Sequence, residues 1–207
     1  MKASKKKIYL IVGILVGSFI LSSVFLIYHY QAGLQASKTA EIFFSKHPYY
    51  LQNNPEYAKV QLSQPSQSLA SHGSATLALS MALDAMGWKS PPAELAPLLL
   101  SNDAYSPEGE PKWYSIAAIT GEKLEIEMPS SPNHNLILKS LKKGQPVIAQ
   151  IENKLHGKHW VMIAGKTGSK LIIKNPLSVA KAWETIESPT TQIHKILILK
   201  KRGQWSL

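Results

Sequence analysis

The chain has 207 residues, 44% of them apolar and 17% charged, enough for one folded domain and too little charge for wholesale disorder. It contains no cysteine, which excludes disulfides, zinc–thiolate sites and thiol catalysis together. Of the formal charge of +10, Lys2, Lys5, Lys6 and Lys7 supply four, leaving 19 basic against 13 acidic residues, or +6. No aromatic–basic module accompanies that charge, so nucleic acid is excluded as a partner.

Residues 1–7 form a basic tip, and Ile8 to Tyr28 then runs 21 residues without a charge. As a helix this run spans about 30 Å, the thickness of a bilayer core. A removable signal peptide has a shorter apolar region and a small-x-small cleavage site, and Ala32 and Ala36 lack the small residue two positions earlier. Residues 8–29 are therefore expected to be an uncleaved single-pass anchor, with the lysines in the cytoplasm and the rest outside. Gly13 and Gly17 have the small-xxx-small spacing that lets two helices approach, and are the candidate dimer face. An exported surface of this charge suits anionic headgroups or wall polymers.

Residues 30–58 read as a stalk or linker, its first half (Gln31 to Lys46) a helix continuing from the membrane. "KHPYYLQNNPEY" then suggests an extended or turning segment. Tyr49, Tyr50 and Tyr57 suit either a membrane interface or packing against the domain. Residues 59–207 read as the globular domain. Ser74 to Met86, rich in Ala, Leu and Met, predicts a buried helix stopped by Gly87. A second helix starts near Pro92, a third covers Trp113 to Thr120, and a fourth covers Ser131 to Lys143. The period then changes. Pro146 to Ile151, His159 to Ala164, Leu171 to Lys174 and Ile193 to Lys200 predict strands, with "GKTGSK" turning a hairpin. Helices first and an antiparallel sheet after is an α+β order.

These pieces, over roughly Val60 to Val179, resemble the bacterial papain-like cysteine peptidases of the C39 class, in particular stand-alone C39-like domains. That family opens its first helix with a Gly-Cys step, a methionine seven residues later and a glycine near the helix end. Gly73-Ser74, Met81 and Gly87 stand at those offsets. Pro92, Glu94, Leu95 and Ala96 resemble its "PEELA" segment, and Gly109 with Trp113 its Gly-x-x-W step. "LKKGQPVIAQI" and "HWVMIAGKTGSKLIIKNPL" are similar to its strand entry and its histidine block. The resemblance implies a papain-like α+β fold on a bacterial cell membrane, without cofactor or metal. It puts the nucleophile at Ser74, the base at His159, the orienting residue at Asn175 (the family has Asp) and the oxyanion-hole glutamine at Gln64. Gln67 and Gln61 are rivals for the last role, and a shifted register would put His72 at the cysteine position. His156 and His159 stand three apart and His72 could join them in space, but zinc needs a third ligand with a matching second shell and this pair sits in a loop, so no metal is expected.

The chemistry narrows the reading. A cysteine at a helix N-terminus is activated by the dipole and an imidazolium, which bring a thiol of pKa about 8.5 down to the working range. A serine hydroxyl gains little from either and needs a well-placed base during attack. Asn175 lacks the charge that would steady an imidazolium. The expected function is a membrane-anchored, extracytoplasmic peptidase-fold domain, catalytically degenerate, that binds a peptide or protein in its cleft. The alternatives are an amide hydrolase using Ser74, His159 and Asn175, a cysteine peptidase if residue 74 is naturally cysteine, and a subunit of a membrane complex joined through the anchor.

Overall fold

The computed structural model describes residues 40–153, 157–179, 183–187 and 193–203. The expected anchor at 8–29, with Gly13 and Gly17, lies outside them. Among the described residues no helix is long and apolar enough to cross a membrane.

A compact unit begins at Glu41, the second residue of the first strand. It contains β1 (Ala40–Ile42), α1 (Leu69–His72), α2 (Ser74–Ala85), α3 (Pro92–Ser101), α4 (Ile116–Ile119), β2 (Leu124–Glu127), α5 (His134–Lys142), β3 (Val147–Asn153), β4 (Gly157–Thr167), β5 (Lys170–Lys174), β6 (Glu184–Ile186) and β7 (Ile193–Lys201). The sheet order is β2-β7-β3-β4-β5-β6, and β1 pairs with β4. The paired neighbours along this path run antiparallel.

The four expected strands and the helices at Ser74 and Pro92 stand where the pattern put them. The third helix divides into a 3₁₀ turn (Trp113–Ser115) and α4. The fourth starts at His134 because the Asn133 side chain caps it, accepting from Leu136 N at 3.0 Å.

Strand alternation gives the sheet two apolar faces. Ile148, Trp160, Leu197 and Leu199 pack with α2, α3 and α4 on one face. Val147, Ala149, Val161, Ile163, Ile196 and Ile198 pack with Ile137 and Leu141 of α5 on the other. Every residue from Ala75 to Leu83 is buried, so α2 is a central helix.

The segment expected as a stalk belongs to the folded unit from Glu41 onward, and its opening residues are the strand β1 instead of a continued helix. Phe44 and Tyr57 are buried. Gly165 permits the approach of β1, since a Cβ there would lie 2.2 Å from the Glu41 carbonyl oxygen. Lys174, 1% exposed, fastens the next residues: its Nζ donates to the carbonyls of Phe44 (2.8 Å), His47 (2.8 Å) and Pro48 (3.1 Å). Three carbonyl acceptors satisfy a buried ammonium without neutralising it. Burial pushes the Lys174 pKa down to about 8, against a smaller upward pull from Asp84.

That depression has a consequence for stability. A lysine in the unfolded chain titrates near about 10.4. Between about pH 8 and 10 the unfolded chain therefore holds a proton that the folded chain has released, and stability rises with pH. Above about pH 10 the half-buried Tyr49 and Tyr50 and the buried Tyr57, all pushed up chiefly by desolvation, reverse the slope. Urea midpoints are predicted to rise between pH 7.5 and 9.5, and Lys174→Met to flatten that rise. A flat or falling wild-type midpoint would refute this account of Lys174.

Candidate functional site

Ser74 opens α2, and α1 leads directly into it. Ser68 begins α1, its N–H donating to Ser71 Oγ at 2.9 Å. Gly73 joins the two helices: its N–H donates to the Leu69 carbonyl at 3.0 Å, and its own carbonyl accepts from Leu77. A Cβ at Gly73 would lie 2.1 Å from the Leu69 oxygen, so glycine is sterically required at this joint. The sequence shows the Gly-Ser pair, and the reason for its glycine is this joint.

Ser74 Oγ accepts a hydrogen bond from Trp160 N at 3.3 Å. The β4–β5 ladder ends at Met162↔Lys174, so beyond it β5 supplies no acceptor for β4. Ser74 takes that place. The contact puts the start of α2 beside the residue that follows His159.

His159 is buried on β4 opposite Ile151, and its Nδ1 lies 3.1 Å from the Gly157 carbonyl oxygen. A carbonyl only accepts, so Nδ1 carries the proton in the neutral ring and Nε2 is the basic nitrogen.

Asn175 follows β5 and is also buried. The Tyr49 hydroxyl accepts from its N–H (2.9 Å) and donates to its carbonyl (3.2 Å), so one phenol serves both backbone groups. The side chain closes a local turn, Oδ1 accepting from Leu177 N at 3.0 Å. Its Nδ2 donates to Glu184 Oε2 at 2.9 Å. The amide orientation is thus fixed from two sides. Glu184, on β6, carries no motif, which is why the sequence does not announce it.

The glutamines fall differently from the sequence expectation. Gln64 is exposed, and its carbonyl closes a turn to Gln67 N at 2.9 Å. Gln67 is engaged with Ser63 and the Pro107 carbonyl, and Gln61 is exposed and bridges Ser68. His72 is exposed, with Nδ1 2.9 Å from Ser71 Oγ. The buried glutamine is Gln52. Its N–H donates to the Pro176 carbonyl (2.7 Å) and its Nε2 to the Ala70 carbonyl (3.0 Å), linking the Asn175 turn to α1. Gln52 Oε1 is buried with no hydrogen-bond partner among the described residues. The tyrosine pair before it and its own amide were its only signals, in a segment read as linker.

No family model and no curated protein sequence matches the chain. Among solved structures, a Bacillus anthracis protein assigned as a C39-like peptidase superposes with a TM-score of 0.53 at 15% identity. The match covers 79% of this chain and 98% of that one. The chain therefore has the fold of a C39-like peptidase: an antiparallel sheet carrying the histidine strand, with helices packed on it.

The Asn175–Glu184 pair makes a specific claim about the family's aspartate. With Asp at 175 two carboxylates would share one contact, and one of them would hold its proton well above the usual range. Asn175→Asp is expected to lower stability by about 1–3 kcal/mol at pH 7.5. Stability should recover as pH falls through the raised carboxyl pKa, and adding Glu184→Gln should restore it at pH 7.5. Urea unfolding of the single and double variants tests this, and an undiminished Asn175→Asp would refute it.

Proposed function

We propose that this chain is a membrane-tethered, extracytoplasmic C39-like domain whose cleft binds a peptide or protein segment without cutting it. The observation that carries the reading is the use made of Ser74. Its hydroxyl oxygen accepts the Trp160 N–H, a structural task that holds α2 on β4. A nucleophilic serine needs its oxygen free to gain electron density as a base removes the proton. An N–H donor on that oxygen withdraws density instead.

The surrounding charges point the same way. The residue in the orienting position is a neutral amide, and the nearby carboxylate of Glu184 is spent on that amide. Asn175 itself brings no charge of the kind that steadies an imidazolium in Ser–His catalysis. The partnerless Gln52 Oε1 supports the binding half of the proposal, because a buried carbonyl without a donor is costly and a bound peptide N–H would satisfy it. In this reading Gln52 is a peptide-binding acceptor, a different role from the oxyanion-hole donor expected of Gln64. The basic tip and the uncharged run at 8–29 support the tether, and Gly13 and Gly17 support its pairing.

A fluorophosphonate probe on the full-length protein in mild detergent tests the loss of nucleophilicity. We expect no stoichiometric labelling, and the same trace background from Ser74→Ala. Stoichiometric labelling abolished by Ser74→Ala would overturn the proposal in favour of a serine hydrolase.

A further inference from the structure

Trp160 is held at both ends. Its backbone N–H reaches Ser74, and its indole Nε1–H donates to Glu110 Oε1 at 2.8 Å. The same oxygen is approached by Gln150 Nε2 at 3.5 Å. Both donors are neutral. The nearest lysine in sequence, Lys112, turns away to Asp103 (2.9 Å). Among the described residues no lysine, arginine or histidine pairs with Glu110, although the chain holds 23 lysines and arginines.

This is an uneconomical way to satisfy a tryptophan. A buried indole N–H needs an acceptor, and a glutamine carbonyl or a backbone oxygen would serve. A half-buried carboxylate costs desolvation that two neutral donors only partly return. Its second oxygen, Oε2, accepts no hydrogen bond among the described residues. The loop that bears it is rigidly placed: Tyr105 bridges Pro111, and the Tyr105 hydroxyl meets Thr76 Oγ1 on the first turn of α2 at 2.9 Å. Trp113, half-buried and with its ring 5.0 Å from that of Trp160, adds an aromatic wall of the kind that favours cations. Trp160 thus links this carboxylate, through its indole, to Ser74, through its backbone N–H.

We propose that Glu110 is a cation-recognising subsite, accepting the guanidinium or ammonium of a basic side chain in the peptide that occupies the cleft. The peptide part of this inference rests on the binding function proposed above. The charge recognition does not. A carboxylate whose Oε1 is already oriented by Trp160 presents Oε2 without further ordering, and an arginine would add a charge-assisted hydrogen bond there.

The test is calorimetric titration of the full-length protein in mild detergent with Nα-acetyl-arginine amide (hereafter arginine amide), and with Nα-acetyl-citrulline amide (hereafter citrulline amide) as its uncharged near-isostere. Arginine amide should bind saturably and citrulline amide should not. Glu110→Gln keeps an acceptor for the Trp160 indole and should weaken arginine amide by about tenfold or more. No saturable binding of arginine amide, equal binding of citrulline amide, or an undiminished Glu110→Gln would each overturn the subsite. If arginine amide binds through Glu110 but the protein retains no peptide, the subsite stands and the peptide-binding function falls. If peptides are retained without preference for Arg or Lys, the function stands and the subsite falls.

Discussion

The backbone N–H of Trp160 sets the constraint on which the site depends. β5 stops accompanying β4 after Met162, and an unpaired donor in so buried a place would cost about 1–3 kcal/mol. The oxygen that answers it belongs to Ser74, at the first residue of a helix whose next nine residues are buried. One hydrogen bond thereby docks the helix on the sheet and brings Ser74 next to the strand that bears His159. It also assigns the serine oxygen a structural duty. The C39-like fold and the structural use of the Ser74 hydroxyl meet in the same contact.

A second layer comes from the segment between Glu41 and Gln52, which acts as a brace. Lys174 gathers three of its carbonyls, Tyr49 closes both backbone groups of Asn175, and Gln52 spans Pro176 and Ala70. These contacts hold the end of β5 against the start of the helices. Asn175 is similarly overdetermined by Leu177 and Glu184, and the neutral amide fits a neighbour that an aspartate would repel.

Much of this was legible where a single residue's chemistry repeats with a period. The alanine- and leucine-rich run at Ser74 reads as a buried helix, and the runs at 147, 159, 171 and 193 read as strands. Three-residue pieces such as β1 and β6 are too short to show a period, and β2 (LEIE) alternates over only four residues. The 41–58 segment was misread because prolines, asparagines and tyrosines mark a turning chain whether or not it packs. Gln52, Glu184 and Glu110 were invisible for a different reason: each acquires its role only through a partner more than eight residues away. Gln64 looked suitable by its nearness to Ser74 in sequence, and the turn that exposes it could not be read from composition.

On a C39-like fold the Ser74 hydroxyl serves the Trp160 N–H, and the function proposed for this chain is binding without cleavage. The central claim concerns what happens to a peptide that enters. The direct measurement is to incubate the full-length protein in mild detergent with a defined peptide library and analyse the retained and free pools by mass spectrometry over hours. The account predicts a retained subset of intact peptides and no new termini in either pool. New termini that accumulate with time and vanish in His159→Ala would contradict it, because the cleft would then still cut.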